Sequence, residues 1–416
     1  AVPKLMLSGK PPRRDDSQKA VDALRGALRD PFPSVRYLAA LGLAAVDPGA
    51  PEVLPVLMTA LQDSDGSERA AAAGALAQLA PGSPQAPAVA QALRERFADP
   101  LPPARQAAAA ALAAIDPNSP DAVPLLIEAL RTSGEPLPPA TAEVPALVYP
   151  NGRAEITLAL NRQGAEDGAL TAASSLARMG PLAAPAVRSL SELIRSPSAA
   201  PALKGAAAQA LGNIGPAARE AVGPLVAALT EADPGVRVQA ACALAQIDPT
   251  ASAAIPVLTA ALSAGDPVLR FQAARALGII GPPARAALGE LTRVLRSDRD
   301  ENVRSKAAQA LGALRDEALP AVPALRAALK DRKDWVRWAA ADALADIDPV
   351  SNKHLPALVR SLKSKDPVLR YNAAAALGRV EAAPSPKAVR GLVRSLKDKD
   401  AAVRLESASS LSLIGS

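Results

Sequence analysis

Residues 266–282 read DPVLRFQAARALGIIGP, and versions of this pattern recur along most of the chain. The stretch opens with Asp-Pro, carries an arginine at position 270, continues with alanine and leucine, and closes with Gly-Pro. Alanine and leucine favour helix, while proline is tolerated in a first helical turn and cannot continue a helix. The stretch therefore predicts one helix, bounded by Asp266 and Gly281.

Arg270 marks the register of a repeat, and positions within the repeat are counted from it. Equivalent residues follow each other at steps of 33 or 34 from Lys204 onward. A second helix-sized segment, such as AIPVLTAAL from Ala254, lies upstream of each marker. We call the upstream helix A and the marker-led helix B, and the sequence predicts eleven of each. The markers are Arg36, Arg69, Arg105, Ala169, Lys204, Arg237, Arg270, Arg304, Arg337, Arg370 and Arg404.

The pattern at 266–282 resembles the HEAT repeat, and most closely the short bacterial variety first noticed in phycobilin lyases. The resemblance covers about residues 17–416 and implies one all-α domain. This would be a right-handed, armadillo-like α-solenoid of about eleven two-helix repeats. It also implies that the Asp and Arg of each repeat are structural and form a ladder between neighbouring repeats, as in Asp233/Arg237, Asp266/Arg270, Asp300/Arg304 and Asp366/Arg370. Residues 1–16 fit no repeat, and we expect a flexible lead there.

The fourth repeat carries an insertion at about residues 131–167. Its first half is rich in proline and is predicted to be extended. Its second half fits either a hairpin about Asn151-Gly152 or a degenerate helix at 154–162. Insertions in solenoids form loops on one face, so this one is equally compatible with a binding loop and with a tolerated loop.

Composition limits the classes of function. Aromatic residues make up only 2% of the 416 residues, so space must be filled by alanine and leucine in closely packed helices. No stretch approaches the ~18 apolar residues of a membrane span. One cysteine and the lack of a signal peptide favour a soluble protein of the cytoplasm. Export stays open, because the chain begins at Ala1 rather than at methionine.

Few residues could support catalysis. The chain has one histidine, His354, and one cysteine, Cys242, which is too few for a usual zinc or iron site. We expect His354 to be a surface or capping residue. Asp342 and Asp346 lie four apart on one helix and could form a carboxylate dyad, although exposed acidic pairs are usually just solvated. The sequence therefore predicts a non-enzyme without metal or cofactor.

One side of the B helices is predicted to be a binding surface. Positions −1, +3, +7 and +10 are apolar and cluster on one side, so +1, +5 and +9 point away from the core and +2 lies near them. We call the surface formed by these four positions the B-helix face, and in HEAT stacks it lines the concave side. In the C-terminal half it carries Phe271, Gln272, Arg275, Lys306, Gln309, Trp338, Asp342, Asp346, Tyr371, Asn372 and Arg379. Trp338 and Tyr371 would be apolar anchors for a partner; the alternative is that the aromatic residues at +1 pack between neighbouring B helices.

A second surface lies in the turns between helices A and B. Residues 291–416 carry 23 Lys and Arg against 15 Asp and Glu, so the positive charge is C-terminal. We call the exposed cations of these turns the basic ridge: Lys330, Arg332, Lys333, Lys363, Lys365, Lys397 and Lys399. Such a ridge could attract phosphates, but interleaved aspartates and helix C-termini also explain it.

The leading hypothesis is therefore a scaffold or adaptor that binds a protein or peptide on the B-helix face. Nucleic-acid binding through the basic ridge is the second hypothesis. The third, a bilin lyase or other chromophore-handling protein, is implied by the resemblance alone.

Overall fold

The computed structural model describes residues 14–47, 49–131, 168–250, 252–347, 354–379 and 386–415. Within these ranges the chain is built from helices and connecting turns. It divides into two compact units, Ala1–Leu193 and Ile194–Ser416. The predicted insertion at 131–167 and most of the predicted lead at 1–16 lie outside the described residues; the first helix begins at Arg14.

Every predicted repeat contains its two helices. The A helices are Arg14–Ala27, Val53–Ala60, Ala86–Glu95, Val123–Arg131, Val187–Arg195, Val222–Ala228, Ala254–Ala261, Leu288–Ser297, Val322–Ala328, Leu355–Ser361 and Pro386–Ser395. The B helices are Pro33–Val46, Gly66–Leu79, Pro102–Ile115, 168–179, Pro201–Ile214, Pro234–Ile247, Pro267–Ile280, Glu301–Ala313, Asp334–Ile347, Pro367–Gly378 and Ala401–Gly415. The prediction of an all-α solenoid built from two-helix repeats is confirmed.

Aspartate and glycine set the ends of helix B. The Asp266 carboxylate accepts a hydrogen bond from the backbone N–H of Val268 at 2.8 Å. Asp366 and Asp400 accept hydrogen bonds from the equivalent N–H groups of Val368 and Ala402, so all three aspartates cap the start of a helix B. At the other end, the helix stops at Gly281, whose φ of +71° and ψ of −139° are a combination that glycine adopts without steric cost.

Neighbouring B helices pack side by side through very small residues. In the second unit each helix B packs along the helix B of the next repeat. A Cβ atom built on Gly312 would lie 2.9 Å from the Cα atom of Ala343 in the next helix B, so only glycine fits there. This close approach explains why the core consists of alanine and leucine rather than aromatic residues.

In several repeats the marker cation joins its own repeat to the next. Arg304 donates from Nη1 to the carbonyl oxygens of Asp298 and Arg299 in its own turn, at 2.9 and 3.3 Å. Its Nε and Nη2 atoms hold both carboxylate oxygens of Asp331, in the turn of the following repeat, at 3.0 and 3.1 Å. The same fork joins Arg69 to Asp99, Arg270 to Asp298 and Arg370 to Asp398, and Lys204 pairs with Glu231.

The acid in this inter-repeat pair differs from the Asp of the predicted motif. Asp233, Asp266, Asp300 and Asp366, at position −4, cap helix B in their own repeat. The partner of the arginine is instead the acid at position −6 of the next repeat. That carboxylate also accepts a backbone N–H from its own turn, as Asp331 does from Lys333 at 2.9 Å. Both aspartates are structural, but only the one at −6 crosses between repeats.

Removing one such pair should destabilise the second unit strongly. The side chains of Arg304 and Asp331 are 6% and 15% exposed, so Arg304→Ala leaves a half-buried carboxylate without its cation. Breaking a buried pair in this way costs about 3–5 kcal/mol of unfolding free energy. Urea denaturation followed by far-ultraviolet circular dichroism measures the loss.

Arg404→Ala is the matched control. Arg404 is exposed and, among the described residues, bonds only the carbonyl oxygens of Asp398 and Lys399. We expect this variant to lose about 1 kcal/mol or less. Equal losses in the two variants would contradict a special role for the inter-repeat pair.

Candidate partner-binding surface

The structure separates the predicted binding residues by exposure. Half-buried side chains are those of Phe271, Gln272, Arg275, Lys306, Gln309, Asp342 and Asn372. Exposed ones are Asp346, Tyr371 and Arg379, and Trp338 is buried. Of the predicted residues, those at position +5 are thus half-buried and those at position +9 are exposed, while position +1 varies from repeat to repeat.

A basic cluster lies on the seventh and eighth B helices. The Lys306 ammonium sits 5.4 Å from the centre of the Phe271 ring, within range of a cation–π interaction, and donates to Gln309 Oε1 at 2.6 Å. Burial lowers the pKa of Lys306, and the charge of Arg275 lowers it further. Arg275 makes no hydrogen bond or ion pair with the described residues, so this cluster holds two cations with no acid bonded to either.

The side chains next to this cluster are largely satisfied within the chain. Gln239 Nε2 donates to Gln272 Oε1 at 3.0 Å and joins the sixth helix B to the seventh. Cys242 is 3% exposed, and burial raises the pKa of its thiol to about 11. A thiol that stays protonated is a poor nucleophile, so Cys242 fits a packing role.

An acidic cluster lies on the ninth helix B. Arg379, from the tenth, donates to Asp342 Oδ1 at 2.5 Å. Burial raises the pKa of Asp342 to about 6; the Arg379 charge opposes this rise and Asp346 adds to it. Burial also raises the pKa of Asp346, against the charges of Arg379 and Arg315. The side chain of Asp342 is only 18% exposed, so Arg379 is the counter-ion of one poorly solvated carboxylate and also faces the more exposed Asp346.

Arg315 is a member of this cluster that the sequence prediction missed. It occupies position +11, where Gly215 and Gly281 adopt positive φ, and it has φ +52° itself. Non-glycine residues pay for this conformation, which places a cation near Asp346. The sequence signal was the loss of Gly-Pro after the eighth helix B, which reads ALRDEALP at 313–320.

Trp338 is not the exposed anchor that we expected. Its side chain is 7% exposed and meets Trp335 edge-on, with ring centres 5.6 Å apart. Ser305, at the same position +1 one repeat earlier, donates to the Trp335 carbonyl oxygen at 3.4 Å. The starts of these two B helices therefore pack together, and the Trp338 ring is buried there rather than accessible to a partner.

Tyr371 is the aromatic residue of this set that remains accessible, with 37% of its surface exposed. It lies on the tenth helix B and interacts with Glu406 of the eleventh. The charge of Glu406 and its hydrogen bond raise the pKa of the Tyr371 hydroxyl. The ring is thus oriented by its polar end while one part stays open to solvent.

The expectation for His354 was also wrong in one respect. It precedes the helix Leu355–Ser361 at the cap position, but its side chain makes no capping bond and is 1% exposed. It is therefore an interior residue and not a surface residue.

All seven residues of the basic ridge are exposed, as Lys330, Arg332, Lys333, Lys363, Lys365, Lys397 and Lys399 each lie in or beside a turn. Two of the interleaved acids, Asp331 and Asp398, point back to Arg304 and Arg370. Lys333 pairs with Glu301 at 2.5 Å. The inter-repeat pairs thus neutralise two of the acids that, from the sequence alone, would offset the positive charge of the basic ridge.

The described part of the chain contains no group of three or more His, Cys, Asp or Glu residues arranged to hold a metal ion. It also contains no helix long and apolar enough to cross a membrane.

The raised pKa of Asp342 predicts a pH dependence of stability. The pKa of Asp342 is about 6 in the folded chain, against 3.8 for an aspartate in an unfolded chain. Between these pH values the folded chain therefore holds a proton that the unfolded chain has lost. Stability from this group is present below about pH 4 and is lost as the pH rises through about 6, by about 3 kcal/mol in total. Asp342→Asn removes this titration. The unfolding free energy of the variant relative to wild type should therefore increase by about 3 kcal/mol from about pH 4 to about pH 7, measured by urea denaturation; a difference independent of pH would contradict it.

Comparison with known structures finds similar helical chains. An engineered protein is 24% identical over 87% of this chain and 99% of its own, with a TM-score of 0.46. Kap121p is 17% identical over 95% of this chain and 45% of its own, with a TM-score of 0.45. Kap121p bound to Nup53p is 17% identical over 97% and 45%, with a TM-score of 0.44. The chain thus spans less than half the length of the Kap121p chains that it matches.

Comparison with curated proteins finds no match. Comparison with protein families does. Models of HEAT repeats match residues 11–77, 187–278, 222–293, 288–378 and 355–416, which is well over half of the chain. A model of the PBS lyase HEAT-like repeat matches residues 104–132, around the third helix B. This chain belongs to the HEAT-repeat family.

Proposed function

We propose that this protein is a non-catalytic scaffold that binds a protein or peptide partner on the B-helix face of the second unit. The observation that carries the proposal is the basic cluster. Arg275 and Lys306 are half-buried and close enough for the charge of one to lower the pKa of the other, yet neither is bonded to an acid among the described residues. An acidic side chain of a partner would relieve this repulsion and bind with favourable geometry.

The acidic cluster supports the same proposal with the opposite charge. Asp342 and Asp346 share Arg379 as a counter-ion, and burial raises the pKa of both carboxyls. A lysine or arginine of a partner would stabilise their ionised forms. The partner segment that fits best therefore carries an acidic residue over the eighth helix B and a basic residue over the ninth.

Tyr371 supplies the accessible apolar contact beside these charges. Aromatic and arginine side chains provide much of the binding energy in protein interfaces, and both types occur on this surface. The proposed contact residues are Phe271, Gln272, Arg275, Lys306, Gln309, Asp342, Asp346, Tyr371, Asn372 and Arg379. Stacked repeats suit this role because they present one extended surface to a partner.

Paired substitutions of equal charge test the proposal. Arg275→Ala/Lys306→Ala removes the basic cluster, and Lys397→Ala/Lys399→Ala removes two cations of the basic ridge. Tagged wild type and both variants are used to capture partners from a lysate of the native host, with and without nuclease. We expect a partner whose affinity, measured afterwards with purified components, falls at least about tenfold in the first variant only.

The melting temperature of each variant serves as the control for folding. Equal affinity of the captured partner for wild type and the Arg275→Ala/Lys306→Ala variant would count against the proposal. Loss of every partner after nuclease treatment would shift the function to the basic ridge.

Nucleic-acid binding is the second candidate, and the internal pairing of Asp331 and Asp398 favours it. Because these carboxylates bond Arg304 and Arg370, the outward charge of the turns is more positive than the sequence suggests. A phosphate backbone would meet exposed lysines at the turns of three successive repeats.

This candidate predicts a defined salt dependence. Binding of a short labelled DNA duplex should weaken as the salt concentration rises, by about 0.9 in the logarithmic slope for each phosphate contact. Lys397→Ala/Lys399→Ala should reduce that slope by about 2 and leave a folded protein. No binding at low salt, or a slope unchanged in the variant, would rule the ridge out.

A further inference from the structure

The inter-repeat pairs of the second unit have one break with an open cleft beside it. Arg270 holds the two carboxylate oxygens of Asp298 through Nε and Nη2, at 2.7 and 2.9 Å. Arg304 and Arg370 hold Asp331 and Asp398 in the same way. Position −6 of the next repeat supplies the acid each time, so the chain itself shows which ligand this fork accepts.

Arg237 has the same fork and no such acid. Its Nη1 atom donates to the carbonyl oxygens of Glu231 and Ala232, both at 2.7 Å, so its own turn orients it as in the other repeats. The residue at position −6 of the following repeat is Ala264, which has no carboxylate. Nε and Nη2 of Arg237 therefore make no hydrogen bond with any described residue.

The second missing acid of this unit is not equivalent. Ser364 stands where Arg337 would need an aspartate, but Arg337 is bonded to Asp334 of its own repeat instead. The repeats to compare are those of the second unit that lie in the described residues and are followed by another repeat. In this set, Arg237 is the one marker cation that pairs with no carboxylate.

A cleft of about 390 Å³ lies at this position. Its wall includes Arg237 and Ala264 together with Leu229, Pro256, Val257 and Leu269. Arg237 is the one charged side chain among the residues that line it, and the others are apolar. The cleft is large enough for a whole side chain, with an apolar wall for its stem and a guanidinium for its end.

We propose that this cleft binds the carboxylate of a glutamate or aspartate side chain presented by a protein partner. The carboxylate would take the place that Asp298 takes beside Arg270, with both oxygens held by Nε and Nη2 of Arg237. The site lies between the A–B turn of the seventh repeat and the start of the sixth helix B, and Val238 is its one lining residue from the B-helix face. None of the contact residues proposed above lines the cleft, so the inference stands independently of that function.

Closing the site from within the chain gives the sharpest test. Ala264→Asp should place a carboxylate on Arg237 and also accept the backbone N–H of Asp266, as Asp298 does from Asp300 at 2.9 Å. We expect the melting temperature to rise by about 2–4 °C and the site to be blocked. Ser364→Asp adds the same charge at the equivalent place of another repeat and should leave the site open.

Binding is measured on the Arg237 side-chain Nε–Hε signal by NMR, with the full chain. The probes are butyrate, the peptide acetyl-Ala-Ala-Glu-Ala-Ala-amide and the same peptide with glutamine in place of glutamate. We expect saturable shifts with butyrate and with the glutamate peptide, for wild type and Ser364→Asp. The glutamine peptide and the Ala264→Asp variant should show none.

Three outcomes would overturn the proposal. Shifts of equal size in wild type and Ala264→Asp would show that the carboxylate binds elsewhere. Butyrate binding without peptide binding would limit the site to small free acids. An Ala264→Asp variant that is no more stable, and whose Arg237 signal matches that of wild type, would show that the fork is not preset for a carboxylate.

Discussion

The marker arginine connects three pieces of backbone that helix packing alone would leave unjoined. Through Nη1 it ties the A–B turn of its own repeat to the start of helix B, and through Nε and Nη2 it reaches the turn of the next repeat. The acid it meets there already accepts a backbone N–H, so each carboxylate fixes a turn and a neighbour at once. A stack of this kind depends on each repeat holding its neighbour at one spacing, because no repeat can bury its apolar side alone.

The spacing between neighbouring B helices is short, and this determines which positions can carry functional side chains. Glycine at position +8 and alanine in the facing helix bring the B helices so close that their shared sides hold almost no functional groups. Side chains at positions +2, +5 and +9 lie outside the contact between neighbouring B helices and are therefore free to vary. Arg275, Asp342 and Arg379 stand at such positions, and each is charged although alanines of the helix contact lie within one turn of it.

The register of the repeats was predictable because one arginine recurs at a nearly constant step, and many bounds of the B helices follow from Asp, Pro and Gly chemistry. The burial of Trp338 and His354 was not predictable. Periodicity and polarity show which way a side chain points around its helix, but they do not show how much of it the neighbouring helices cover. The acid at −6 was missed for a related reason. It contacts the preceding repeat, so its role depends on a neighbour 27 or 28 residues upstream and not on its own helix. Arg315, in contrast, was visible in the sequence as a departure from Gly-Pro, whereas Ala264 becomes a departure only once the acid at position −6 is known.

Departures from a repeat are informative because the other repeats show what the structure needs at each position. Glycine at +11 removes strain, so Arg315 keeps a strained backbone for a charge beside Asp346. An acid at −6 joins two repeats, so Ala264 gives up a stabilising pair and leaves a guanidinium facing an apolar cleft. In both places the chain forgoes stability that its own neighbouring repeats have. A loss of this kind is understandable where the exposed group has another use, and binding a partner is the use that an arginine in such a position serves best.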